Sequence, residues 1–303
     1  MLSFHNSVNS AFTTAYSLQL TPPTALKLDA HHHLWDYSAK EYGWISDEMN
    51  VLKHDFNPND LTHLIKETGI EGTVAVQART SLEENDFLLE QAKQNLIVKA
   101  IVGWVDLTKD NLSEILAPYA EQDLFKGVRH VLQGEADDAY CLRKDFNQGI
   151  SRLHDFGMVY DILIFHRHLP NSIKMVDQHP NQIFILDHIA KPEIKSATPD
   201  PSWKKNIHLL AERENVYCKI SGMITEVPPD TEWTAELLRP YFDVALKAFG
   251  PKRLMFGSDW PVALLRSDYG RWFQTVEDFT ADLSDDEQNQ IFGLTAAHAY
   301  GIA

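Results

Sequence analysis

Asp29-Ala30-His31-His32-His33-Leu34-Trp35 follows an apolar start at Leu26 and Leu28 and reads as the end of a buried strand. Strand side chains alternate with period two, so His31 and His33 project to one side, where two imidazoles can share a metal ion or a substrate oxygen. The competing reading is three solvated histidines, or a loop that packs Trp35. Far downstream, Leu254-Met255-Phe256-Gly257-Ser258-Asp259-Trp260-Pro261 again reads as an apolar strand that ends in a carboxylate. A histidine pair at one strand end and an aspartate at another read as parts of one site.

Between these two stretches, strand and helix patterns alternate. Tyr37 to Phe56 is polar, aromatic-rich and irregular, which suits a loop over the site. Asn57-Pro58-Asn59-Asp60 then supplies helix-start chemistry, Leu61, Leu64 and Ile65 a helical face, and Gly69 a stop. Gly72 to Gln77 reads as a buried strand, a helix runs through Phe87, Leu88 and Ala92, and Leu96 to Val105 is the next strand. Further strands are predicted at Phe125 to Leu132, Met158 to Phe165, Gln182 to His188, Val216 to Ile220 and from Arg253, with helices through Ile150, Ile207 and Thr231 to Phe249. Counting from Leu26 gives eight strands. Near-continuous apolar strands alternating with amphipathic helices argue for an α/β fold, a closed (β/α)8 TIM barrel over residues 25–303 preceded by an N-terminal arm at 1–24. A doubly wound open sheet is the alternative, but no GxGxxG follows an early strand.

The chain has 303 residues and 44% hydrophobic content, enough for one extended core. Its 27 basic and 43 acidic residues leave a formal charge of -16, which disfavours nucleic acid and anionic lipid as partners and leaves a small molecule. A homo-oligomer is compatible with this composition. Cys141 and Cys218 have no CxxC spacing, no stretch reaches a membrane span, and the first residues lack a secretory pattern, so the expected setting is the cytoplasm.

In a barrel the strand ends form the active face, and His31, His33, Gln77, Arg129, Asp161, His188 and Asp259 all fall at or near such ends. Histidines gathered with an aspartate suit a divalent metal that activates water, or a metal-free set of proton donors around a carboxylate base. Asp259 stands between Ser258 and the bulky Trp260-Pro261, and partial desolvation there is expected to raise its pKa toward that of a general base. Arg129 and Lys191 suit carboxylate, hydroxyl or carbonyl recognition, and Asp161 inside an apolar run needs a partner or a place at the mouth. Ser221-Gly222 lacks a Gly-x-Ser-x-Gly elbow, which argues against a serine nucleophile.

Taken together, Asp29 to Trp35, Leu186-Asp187-His188-Ile189-Ala190-Lys191-Pro192, Lys219-Ile220-Ser221-Gly222 and Phe256 to Pro261 resemble the amidohydrolase superfamily. The likeness is to the amidohydrolase-related TIM-barrel group that contains sugar-acid lactonases and pyrone dicarboxylate lactonase, and it runs from about residue 26 to 302. The resemblance implies a barrel hydrolase with His31 and His33 from the first strand, His188 from the sixth and Asp259 from the eighth, as catalytic residues and as ligands of any metal. Gly127-Val128-Arg129-His130 stands where many members carry a carbamylated lysine, which argues against a bridged two-metal centre. On strand five Asp161 sits mid-strand, and only His166 is available as the usual histidine. One divalent ion, zinc or manganese, is the expected cofactor, with a metal-free site as the alternative.

The leading expectation is a lactonase that opens a sugar-derived aldonolactone, Asp259 activating water and the histidines or their metal stabilising the oxyanion. Arg129, His130, Asp161, Lys191, Gln77 and Trp260 are the expected substrate contacts. The alternatives are a metal-dependent decarboxylase of the same superfamily and a non-catalytic binding barrel.

Overall fold

In the computed structural model, residues 26–303 are described, so the arm read over 1–24 lies outside the described residues. Eight parallel strands follow one another in sequence order: β1 (Lys27–His32), β2 (Ile70–Val76), β3 (Val98–Gly103), β4 (Phe125–His130), β5 (Val159–Ile162), β6 (Phe184–Leu186), β7 (Val216–Ile220) and β8 (Leu254–Phe256). All eight match strands expected from sequence, with ends trimmed by a few residues. The sheet closes just past β8, where His33 N donates to Trp260 O (2.7 Å) and Asp259 N donates to His31 O (2.8 Å). The (β/α)8 barrel is therefore sealed by the two segments that carry the histidine pair and the aspartate.

The strands read as near-continuous apolar runs because both faces are covered. Leu28, Ala30, Val74, Val76, Ala100, Val102, Val159, Ile185, Tyr217 and Met255 form an inner cluster, contributed by residues two apart where a strand gives two. Ala296, Ala299 and Tyr300, from a C-terminal helix, join this cluster from below. A larger cluster fills the space between strands and outer helices.

The helices are α1 (Pro58–Leu64), α2 (Leu82–Gln94), α3 (Leu112–Ala120), α4 (Lys144–Asp155), α5 (Leu169–Asp177), α6 (Pro201–Ala211), α7 (Ala235–Phe249), α8 (Tyr269–Thr280), α9 (Asp285–Asn289) and α10 (Thr295–Tyr300). Asn57 caps α1 through Asn59 N and Asp60 N, as its helix-start pattern predicts, and Thr234 caps α7, which starts later than Thr231. Helices α3, α5, α8, α9 and α10 fall outside the stretches read as helical from sequence. Among the described residues no helix is long and apolar enough to cross a membrane.

Candidate active site

Simple alternation on β1 does not survive to its end. The register with β2 slips between Asp29 and His32, so His32 bonds Thr73 Oγ1 (2.9 Å), while His31 and His33 bring their Nε2 atoms to 3.3 Å from each other. Burial drives the His32 imidazole down to about 3 and leaves it neutral. Asp29 fastens this strand end to the far end of the chain. It accepts from His31 N (3.1 Å), Ser258 N (2.9 Å) and Tyr269 OH (3.1 Å), and burial lifts its pKa to about 6 despite these bonds.

His188 is aimed by a local conformation that the sequence does not advertise. His188, Ile189, Ala190 and Lys191 all have positive φ (52°, 46°, 62° and 45°), and none is glycine. Burial of Ile189 and Ala190, the Trp203 indole donating to Ile189 O (2.9 Å) and Lys191 N donating to His188 O (2.8 Å) hold this left-handed turn. The turn presents both His188 and Lys191 to the mouth. Gly222 makes room for the ring: a Cβ there would meet His188 Nδ1 at 2.5 Å.

Each of the three histidines has its Nδ1 engaged. His33 Nδ1 donates to Val76 O (2.7 Å), His188 Nδ1 lies 2.8 Å from Ser221 Oγ, and His31 Nδ1 lies 3.3 Å from Asp187 Oδ1 and 3.2 Å from Lys219 Nζ. Their Nε2 atoms gather around Asp259 Oδ1, at 3.7 Å for His31, 3.5 Å for His33 and 4.0 Å for His188. Burial keeps the imidazoles of His31 and His188 neutral, the first well below its ordinary value and the second at about 4. Burial works against charge on Asp259, but His188, His33 and His31 outweigh it and hold the carboxyl below the usual range. The raised pKa expected for Asp259 from its bulky neighbours is therefore corrected: the histidines, not Trp260-Pro261, decide its ionisation.

These atoms fit a metal ion. Zinc bonds of about 2.0–2.1 Å imply ligand atoms about 3.4 Å apart in a tetrahedron, close to the spacings among His31, His33 and Asp259. Imidazole nitrogens beside a carboxylate are the donor types such an ion takes, and Val76 O, accepting from Nδ1, leaves the Nε2 of His33 free for it. His31, Asp187 and His188 form a second cluster. Its carboxylate is already met by Lys219 (3.0 Å) and Arg129 (3.1 Å), which suits one ion rather than two.

Above this centre opens a cavity of about 410 Å³, lined by His33, His188, Asp259, Gln77, Arg129 and Lys191 on its polar side, and by Trp44, Val131, Leu163 and Val262. The Tyr37–Phe56 loop contributes Glu41, Gly43 and Trp44, as expected of a loop over the site. Three expected substrate contacts lie off this wall. Asp161 is buried beneath it, bound to Lys219 (2.5 Å) and Tyr300 OH (2.9 Å), and burial lifts its pKa to about 6. His130 turns aside to Glu135 (2.7 Å), and Trp260 is buried edge-on to Phe56. His166 sits away from the cluster, near Lys191 O. Sequence reasoning missed Asp187, Lys219 and Ser221 as supports; all three stand in the motifs that carry the family resemblance, and a lysine inside an apolar strand was the available signal.

The sequence profile of the amidohydrolase family matches residues 28–302. This chain belongs to the amidohydrolase family. Among its relatives, an L-fucono-1,5-lactonase of Burkholderia multivorans is 38% identical over 287 residues, covering 92% of this chain and 97% of the relative. An L-fucono-1,5-lactonase of Burkholderia ambifaria is 34% identical over 282 residues, covering 91% and 96%. A crystal structure of a Burkholderia multivorans amidohydrolase with bound zinc superposes on this amidohydrolase with a TM-score of 0.88, at 38% identity, over 92% of this chain and all of that one. Dihydroxybenzoate decarboxylases match at 13–14% identity, which shows a shared fold alone.

Proposed function

We propose that this amidohydrolase hydrolyses the ring ester of an aldonolactone. The observation that carries the reading is the convergence of three imidazole Nε2 atoms and the Asp259 carboxylate at the floor of a polar cavity, in a chain matched nearly end to end by L-fucono-1,5-lactonases. His31, His33, His188 and Asp259 would hold one divalent ion, zinc being the ion bound in the Burkholderia multivorans structure. Such an ion supplies Lewis acidity toward the ester carbonyl and toward water.

The chain's own groups do the rest. Asp259, ionised at working pH, accepts a proton from the attacking water as its oxygen bonds to the carbonyl carbon. The ring C–O bond then breaks, the ring oxygen leaves as a hydroxyl carrying that proton, and the new carboxylic acid ionises to the aldonate. Arg129 and Lys191, donors without acceptors, face the same cavity and suit the developing oxyanion and the substrate's oxygens. Gln77 is held by its Nε2 donating to Arg129 O (3.2 Å) and suits a hydroxyl. The decarboxylase alternative has only fold-level neighbours behind it. A cytoplasmic setting fits two buried, unpaired cysteines.

A panel of aldonolactones followed with a pH indicator tests the reading, and absence of turnover across the panel at micromolar enzyme overturns it. For the ion, His33→Ala should lower bound metal and activity together, with excess metal restoring part of both. Full activity after exhaustive chelation would overturn the ion's role.

A further inference from the structure

Trp44 is 43% exposed, and among the described residues no other Trp, Tyr or Phe lines the site cavity. It is nevertheless fixed. Tyr42 and Ile45, which flank it at 1% and 5% exposure, pin the loop down, and the Arg79 guanidinium lies 5.3 Å from the centre of the Tyr42 ring. The indole nitrogen donates to Ala78 O (3.1 Å), and the ring stands edge-on to Trp35 at 5.7 Å and 87°. Two anchors and a hydrogen bond therefore hold a large, preformed apolar surface in the wall of the site cavity, where a bound ligand would cover it.

We propose that Trp44 is the platform on which the C–H face of the lactone ring stacks, a specificity-determining residue that recognises the closed ring; this rests on the lactonase reading. A polyhydroxylated lactone has hydroxyls and a carbonyl at its edge and C–H bonds on its face. Those C–H bonds carry partial positive charge, drawn out by neighbouring oxygens, and the indole face is negative. The cavity offers the matching pair of surfaces, with Gln77, Arg129 and Lys191 for the edge and Trp44 for the face. Hydrolysis opens the ring, and the flexible aldonate no longer presents a rigid face. Trp44 thus favours the substrate over the product and assists product release.

The test compares steady-state kinetics on an aldonolactone with inhibition by its open-chain aldonate. Trp44→Ala should raise KM about tenfold, the loss of one aromatic stacking contact, while kcat and the aldonate inhibition constant stay within about twofold. Trp44→Phe should recover most of the KM, and Trp44→Leu, apolar but without a π face, should not. A general loosening of the loop would instead weaken lactone and aldonate alike, and that result overturns the platform. So does an unchanged KM in Trp44→Ala, or a leucine variant that performs as well as phenylalanine; these two variants decide the matter even if Trp44→Ala fails to fold. Wild-type protein that turns over no aldonolactone overturns the lactonase reading and the platform with it, whereas wild-type turnover combined with any of the other results overturns the platform alone.

Discussion

In the proposed mechanism Asp259 accepts the proton of the attacking water, so replacing it by the near-isosteric amide removes that acceptor with little change of shape. Asp259→Asn should cut kcat at least about 100-fold while the protein stays folded by circular dichroism; a variant that kept more than about a tenth of the activity would place the base elsewhere. His32 makes a different prediction, because it stands outside the ligand set. Its folded imidazole refuses a proton until about pH 3, whereas the unfolded chain takes one up near 6.5. Between those values the unfolded state binds more protons, so stability falls as pH drops through that window, and the residue costs nothing above it. His32→Gln should flatten the loss of unfolding free energy between pH 7 and pH 5 by about 2 kcal/mol, read from urea denaturation at the two pH values. An unchanged loss would mean that the imidazole takes up its proton in the folded protein.

The eight strands were legible because buried parallel strands leave an apolar signature that survives in a single sequence, and the cluster of His31, His33, His188 and Asp259 was legible because strand ends are where such runs give way to polar residues. The turn after β6 was not. Four consecutive left-handed residues without a glycine have no local signal, since only the surrounding core makes them tolerable. The slip in β1 was equally hidden, and the two-residue spacing of His31 and His33 placed them correctly without it. Asp161 was expected among the substrate contacts because nothing local shows that its partner is Lys219, two strands away, although a lysine inside the apolar run of β7 hinted at a buried acid. The left-handed turn should be intolerant of branching: Ala190→Val, at φ 62° and fully buried, is expected to lose about 2 kcal/mol or more, while Ala190→Gly stays within about 1 kcal/mol of wild type. Gly222→Ala should act on the fold and the site together, because alanine is strained at φ 61° and its methyl group meets the His188 ring. Metal affinity in a chelator competition should drop by about tenfold or more; an unchanged affinity in the folded variant would take His188 out of the proposed ligand set.

Across the whole barrel, the ligand set straddles the seam. His31 and His33 come from the first strand, Asp259 from just past the last, and the backbone bonds that seal the sheet run between the same residues. An ion held there would stabilise the folded state by mass action at the one place where the barrel is stitched rather than continuous. Chelation should therefore lower the melting temperature as well as activity, and added zinc should restore both; a melting temperature indifferent to chelation would show that the seam holds without help. The same placement gives the centre a position in time. During synthesis β1 emerges well before residues 254–260, so a ribosome-bound chain carries two histidines long before the carboxylate that would complete their set. Competence to hydrolyse substrate then arises only with the final closure of the barrel, which makes activity a readout of finished assembly rather than of any part of it.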